Sequence, residues 1–344
     1  MRITHIIAGG RYGGAETFFV DLVNALACQG VNQHAITRSY AHRLARLDAT
    51  SCTYSTARMG GPLDLTSGYK IRRFLRRWKP DIVLAWMSRA ANLLQHGPWI
   101  NVGRLGGYYD LKYYSNCDVL ICNTPILVEH CIRQGWDPEK VVCITNFSPK
   151  IDVAPVSKAS LSTPESSSVA LVLARLEDSK AIDIALRAVA DIPEMVLWIA
   201  GEGSLERELQ KLAHSLEIQS RVRFLGWRHD REALLKAADV CLVPSRHEPF
   251  GNVVVNAWAN GIPVVATRSA GPSSLINHEE DGLLVNVDDY QDMTAAILRI
   301  LKDGKLARKL LICGESKADK DYSEQSVASA YLDFFQRLKD ANVN

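Results

Sequence analysis

The chain is predicted to fold as two doubly wound α/β domains facing each other across a cleft, and three observations carry that expectation. Short apolar runs alternate with helical patterns from one end of the 344 residues to the other. A serine-rich stretch interrupts the alternation near the middle, and the alternation then restarts with the same rhythm. Strand–helix alternation argues for a parallel sheet covered by helices on both faces. The length suffices for two domains of roughly 150 residues each.

In the first half, ITHIIA (3–8) reads as a strand and 15–27 as the helix after it. An amphipathic pattern over 70–79 precedes the apolar run DIVLAW (81–86). DVLIC (118–122) is followed by a helical pattern over 126–134, then by VVCIT (141–145). These elements form a first domain over 1–153. The segment APVSKASLSTPESSS (154–168), with six serines and two prolines, has too few large apolar residues for a core and reads as a linker. The second domain, 169–322, runs through VALVLAR, a helix over 182–190, MVLWIAG, a helix over 205–216, VRFLGW, a helix over 231–237, DVCLVPS, NVVVNAWAN and IPVVAT. Val327, Tyr331, Phe334, Phe335 and Leu338 mark an amphipathic helix within 323–344 that closes on the body of the protein. In such Rossmann-like sheets ligands bind beyond the carboxyl ends of the strands, which gathers the loops 8–14, 175–180, 201–203, 226–230 and 246–251.

Composition narrows the function classes. With 47% hydrophobic and 23% charged residues the chain is an ordinary globular protein. Residues 1–150 carry 18 Lys+Arg against 10 Asp+Glu (+8), and 151–344 carry 22 against 28 (−6), so the halves are expected to meet different partners. The eight cysteines show no paired C-x-x-C spacing and read as reduced core thiols, with no metal site and no nucleic-acid partner expected. No apolar run reaches the roughly 18 residues that span a bilayer, and the start of the chain leads into a glycine loop rather than a signal-peptide cleavage site. A cytoplasmic protein is expected.

The segment 244–271, PSRHEPFGNVVVNAWANGIPVVATRSAG, holds an acidic side chain, a glycine-marked turn and a helix start between two strands. Free N–H groups and the positive end of the helix dipole at such a junction favour an anion, although a plain strand-to-helix turn has the same pattern. Gly9, Gly10, Gly13 and Gly14 follow the first strand, but their spacing is not the G-x-G-x-x-G of a dinucleotide fold, which argues against an NAD-dependent oxidoreductase. Arg175 and Lys180 flank a strand-end loop from which two cations reach a diphosphate or simply face water. Arg104, Gly106, Gly107, Tyr108 and Tyr109 make a loop whose tyrosines fit either sugar stacking or a partly buried turn. Lys70, Arg72, Arg73, Arg76, Arg77 and Lys79 put six cations on a helix whose stripe Ile71, Phe74, Leu75, Trp78 packs inward. Its outer face suits an anionic membrane surface.

Taken together, GGAE (13–16), Arg175 with Lys180, GEG (201–203), FLGW (224–227) and EPFGNVVVNAWANGIPVVAT (248–267) resemble the retaining GT-B glycosyltransferases of family 4. The resemblance implies a metal-independent enzyme, without cofactor, that moves a sugar from a nucleotide diphosphate-sugar to a glycan or glycolipid acceptor. Lipopolysaccharide or cell-surface polysaccharide synthesis is the implied setting, with the protein peripheral on the inner face of the cytoplasmic membrane. It implies that Arg175 and Lys180 hold the diphosphate and that Glu248 bonds hydroxyls of the donor sugar. Phe250, Gly251, Asn252 and Val253 would complete the cradle through backbone N–H groups, with Gly203 beside it. Gly13 and Gly14 would close over the donor, Trp227 and Arg228 would lie beside the base, and Asn256 would meet the ribose. Ser88, Arg89, Arg104, Gly107 and Tyr108 would lie on the acceptor side. Asn146 resembles the asparagine that ends the last first-domain strand. Three positions depart from the family pattern: Asn256 replaces a second glutamate, Trp86, Ser88 and Arg89 stand where a histidine is usual, and Ala174 replaces a glycine. A non-catalytic scaffold that binds a nucleotide-sugar or glycan is the rival reading, motivated by Asn256 and the missing histidine.

Overall fold

The computed structural model describes residues 1–60 and 64–342, which divide into two compact units, Met1–Phe147 with Glu324–Asn344, and Ser148–Ser323. In the first unit seven parallel strands stand in the order β3-β2-β1-β4-β5-β6-β7. They are β1 (Arg2–Ile7), β2 (Asn32–Thr37), β3 (Thr53–Thr56), β4 (Ile82–Trp86), β5 (Ile100–Leu105), β6 (Val119–Cys122) and β7 (Val141–Cys143). The second unit has six, β8 (Val169–Leu173), β9 (Val196–Ala200), β10 (Val222–Phe224), β11 (Val240–Val243), β12 (Val264–Thr267) and β13 (Leu283–Val285). Their order is β10-β9-β8-β11-β12-β13, again all parallel. Each sheet is doubly wound: the strand order reverses between β1 and β4 and between β8 and β11, the points at which loops part and leave a crevice.

β4 and β9 are buried along their whole length because helices cover both faces, which is why they read as unbroken apolar runs. β2 and β3 read otherwise. Their buried polar groups are satisfied across the sheet: His5 Nε2 meets Gln33 Oε1 at 2.8 Å, and His34 meets the hydroxyls of Thr53 (2.8 Å) and Ser55 (3.0 Å). Burial pushes the pKa of His5 down to about 4, opposed in part by the Gln33 bond, and burial also brings His34 down to about 4. Both rings are neutral in the folded protein at pH 7, whereas in the unfolded chain they take up protons below about pH 6.5. The unfolded state therefore binds more protons between about pH 6.5 and 4, and stability falls as pH falls through that window, by roughly 2 kcal/mol for each histidine at pH 5. Urea unfolding at pH 7 and pH 5 should show the loss, and His34→Gln should remove part of it; a pH-independent midpoint contradicts this account.

The boundaries differ from those that composition indicates. Residues 154–168, expected as a linker, are tied to the second unit, where Val156 N–H donates to the Ala233 carbonyl (3.0 Å) and Trp198 Nε1 to Thr163 Oγ1 (2.9 Å). Despite its serines and prolines the segment is pinned by these bonds and by Val156 and Leu161, which pack on the second unit's core. The last helix, Glu324–Asn342, adds Val327, Tyr331, Phe334 and Phe335 to the first unit's core beside Phe18, Phe19 and Trp86. Arg104, expected in a loop, is the penultimate residue of β5, and the loop begins at Gly106.

Helix Leu65–Trp78 begins at Asp64, whose carboxylate accepts from Ser67 N–H at 3.0 Å. It buries Ile71 and Leu75, and the ring of Phe74 stacks on His34 at 4.1 Å. Lys70, Arg72, Arg73, Arg76, Arg77 and Lys79 are exposed and form no ion pair among the described residues.

Candidate functional site

In the second unit the switch point brings together the loops after β8 and β11. Lys180 Nζ stands 2.6 Å from Glu248 Oε2, with both side chains only 16% exposed. The two loops are tied independently of that pair, because His247 N–H donates to the Ser179 carbonyl at 3.1 Å. Arg246 adds a clamp. Its guanidinium reaches Asp183 in bidentate fashion (3.2 and 2.9 Å), the Asp178 carbonyl (2.9 Å) and Asp288 (2.6 Å). The Asp183 bond and the charges of Asp288 and Asp178 hold its pKa above the usual value.

Two glycines let backbones approach more closely than any side chain allows. A Cβ on Gly203 would stand 2.3 Å from the Leu176 carbonyl oxygen, and one on Gly271 would stand 2.2 Å from the Phe250 oxygen and 2.7 Å from the Glu248 oxygen. Gly271 N–H in turn donates to the Glu248 carbonyl at 2.7 Å. Gly251 lies in the left-handed region (φ 106°) and opens helix Asn252–Ala259, whose first turn carries the N–H groups and dipole end that favour an anion.

Other expected residues make contacts of their own. Arg175 is half exposed and bonds Glu177 at 2.8 Å, not Glu248. Arg228 forms a bidentate pair with Asp230 (2.8 and 2.6 Å), which raises the arginine's pKa and lowers the aspartate's; Trp227 precedes it, beyond the edge strand β10. Phe250 buries its ring against Tyr322, so only its backbone is available to a ligand. Val253 and Asn252 are half buried, and Asn256 is 8% exposed one turn further along the helix.

In the first unit the loop between β1 and helix Gly14–Cys28 folds over Glu16, whose carboxylate accepts from Gly10 N–H at 2.7 Å. Gly13 is half buried and Gly14 exposed. After β4, Ser88 is half buried, and Arg89 donates to the Ala8 carbonyl at 3.4 Å, which links the β1 and β4 loops. Gly107 is buried, while Tyr108 is exposed and sets its ring edge-on to His130 at 5.0 Å. Arg104 is buried. It stacks on Phe18 and Trp86 and donates to Tyr331 and Asn146.

The clamp of Arg246 and the close approach of Gly271 were not assigned roles from sequence. The only signal for Arg246 was its place beside Glu248 and the acids at 178 and 183, and a salt-bridged surface arginine has the same signature. Among the described residues no group of three or more His, Cys, Asp or Glu side chains is placed to hold a metal ion.

Comparison with known proteins covers nearly the whole chain. Residues 154–325 match the family described as glycosyl transferases group 1, and residues 12–147 match glycosyltransferase family 4. The lipopolysaccharide core biosynthesis glycosyltransferase LpsE of Rhizobium meliloti is 36% identical over 335 residues, covering 96% of this chain and 98% of the relative. LpsD of the same organism, with the same description, is 34% identical over 340 residues, covering 98% of each. Among solved structures, Anabaena HepE in complex with UDP-glucose superposes with a TM-score of 0.84 at 19% identity, covering 98% of this chain and 100% of that one.

Proposed function

We propose, since this chain belongs to family 4 of the glycosyltransferases and has the two parallel-sheet domains of the GT-B fold, that it moves a sugar from a nucleotide diphosphate-sugar to a core oligosaccharide of lipopolysaccharide or a related cell-surface glycan, with retention of anomeric configuration. The observation that carries the donor site is the Lys180–Glu248 pair at the β8/β11 switch point, held by loops that Arg246 clamps. The relatives LpsE and LpsD supply the acceptor class.

The pair is a donor site waiting to exchange partners. On donor binding the diphosphate takes over Lys180, and Glu248 turns its carboxylate to hydroxyls of the sugar. Arg175 exchanges an exposed glutamate for the second phosphate charge. Backbone N–H groups of Phe250, Gly251, Asn252 and Val253 receive phosphate and sugar oxygens, Gly203 lets its loop pack on the Leu176 backbone beside them, Asn256 meets the ribose, and Trp227 with Arg228 flanks the base. From the first unit, Gly13 and Gly14 cover the donor, while Ser88, Arg89, Arg104, Gly107 and Tyr108 serve the acceptor.

In the reaction the bond from the anomeric carbon to the phosphate oxygen breaks, and the nucleoside diphosphate leaves with the electron pair. The acceptor oxygen bonds the same face, and its proton passes to the departing phosphate. Positioning and charge stabilisation carry the rate, because no side chain is placed as a nucleophile. No metal takes part in this scheme. Transfer from a donor of known anomeric configuration to core oligosaccharide, followed by proton NMR of the product, should show that configuration kept; inversion overturns the mechanism.

The protein works as a cytoplasmic enzyme docked on the inner membrane face. No helix among the described residues is long and apolar enough to cross a bilayer. The exposed cations of helix Leu65–Trp78 supply the docking charge, at roughly 1 kcal/mol for each residue near an anionic surface. Replacing Arg72, Arg73, Arg76 and Arg77 with glutamine should abolish sedimentation with phosphatidylglycerol vesicles at physiological salt, and undiminished sedimentation removes the membrane from this account.

A further inference from the structure

We propose that the first unit contains a preformed oxyanion site at the guanidinium of Arg104, and that the acceptor engages it through a phosphate or carboxylate group. The identity of the ligand as acceptor rests on the glycosyltransferase reading; the site rests on the first unit alone.

Arg104 is the penultimate residue of β5, at the ligand rim of the sheet, and is 2% exposed. A guanidinium so far out of water ordinarily faces a carboxylate, because an uncompensated buried charge is costly. Here, among the described residues, no carboxylate lies within the 4.0 Å of an ion pair. Its neighbours are neutral: the Phe18 ring at 4.7 Å, the Trp86 ring at 4.8 Å, Tyr331 Oη accepting from Nε at 2.9 Å, and Asn146 Oδ1 accepting from Nη2. Glu16, whose charge acts with that of Arg104 on Tyr109, is bonded to Gly10 N–H.

Nη1 makes no hydrogen bond among the described residues. It lies 3.4 Å from the point where a Cβ on Gly106 would stand, and Asn123 Nδ2 lies 3.8 Å from the same point. Asn123 is 3% exposed, and its Oδ1 has no hydrogen-bond partner. The space that Gly106 leaves empty is thus bordered by guanidinium and amide donors and by one unused acceptor. That set fits an oxyanion with a neighbouring hydroxyl, the pattern of a charged sugar. Two rings and two hydrogen bonds already fix the arginine, so binding costs little further ordering.

The test titrates the full chain with inorganic phosphate and, separately, with acetate, following the thermal midpoint and the arginine Nε–H resonances of 15N-labelled protein. Gly106→Val fills the space beside Nη1, and Asn123→Asp supplies an internal carboxylate. The wild type should rise by about 3 °C at saturating anion, with one buried arginine resonance shifting. Both variants should lose most of the rise, and Asn123→Asp should melt higher than wild type before any anion is added. Anion bound at Lys180 contributes equally to all three proteins, so the difference isolates Arg104. A rise with either anion that both variants lose supports the site, and the anion that gives it identifies the acceptor group as phosphate or carboxylate. Equal rises in all three proteins, or no shifted arginine resonance in the wild type, overturn it. Should Gly106→Val not fold, Asn123→Asp decides. Nucleotide release by the wild type is read separately: its absence defeats the glycosyltransferase reading and leaves the anion site standing.

Discussion

Glu248→Ala is expected to lower kcat/KM for donor turnover by about 10³-fold, the loss seen when one preorganised electrostatic partner leaves a reacting centre. The carboxylate is largely buried and meets Lys180 at 2.6 Å, so its removal takes away the partner of the sugar hydroxyls and also frees the lysine to wander. The loop itself should persist. Gly271 N–H still holds the backbone carbonyl of residue 248, and Arg246 still grips Asp178, Asp183 and Asp288. Glu248→Gln keeps the shape without the charge and should fall between alanine and wild type. Activity within threefold of wild type in the alanine variant, with the fold intact, removes Glu248 from the mechanism.

Arg175→Ala is expected to cost about 10²-fold in the same quantity, whereas Asn256→Ala costs about fivefold. Arg175 is 52% exposed and, among the described residues, pairs with Glu177 alone, and an exposed pair adds little to stability. Its loss should therefore register in turnover, where it faces the charge that develops on the departing diphosphate, and hardly in the melting midpoint. Asn256 is a neutral amide. Its contribution to a ribose hydroxyl is an ordinary hydrogen bond of about 1 kcal/mol, and it should appear as a raised KM for the donor. Equal losses in the two variants contradict the division of roles between phosphate and ribose.

The second unit was more legible in sequence than the first, for a physical reason. Five of its six strands, all but β13, were read from sequence, and β8, β9 and β11 are unbroken apolar runs, since helices bury both faces. In the first unit β2 and β3 hid behind polar residues: Gln33 and His34, which are buried because they bond His5, Thr53 and Ser55 across strands, and the less buried Thr53 and Ser55 themselves. β5 hid because Asn101, Gly103 and Arg104 interrupt its apolar pattern. Asn101 is satisfied by the Gln95 and Asn116 carbonyls, and Arg104 by aromatic faces no local pattern predicts. The tie of 154–168 to the second unit was not legible, because the bond from Val156 N–H to the Ala233 carbonyl is a backbone bond and leaves no mark in side-chain composition. At the site, Glu248, Lys180 and the turn at Gly251 were readable as charge and glycine beside a helix start. That Lys180 and Glu248 meet each other, and that Arg246 holds both loops, depends on which strands are neighbours. β8 ends at Leu173 and β11 begins at Val240, 67 positions later, yet the two are adjacent in the sheet.

The central claim, that this chain turns over a nucleotide-sugar at the β8/β11 switch point, is tested most directly by nucleotide release. Purified protein is incubated with UDP-, GDP- and ADP-sugars without acceptor, and the free nucleotide is measured against time. Slow release of one nucleoside diphosphate, above the rate without protein, is the predicted result. No binding and no release with any donor would contradict it and leave the chain a scaffold in an enzyme's fold.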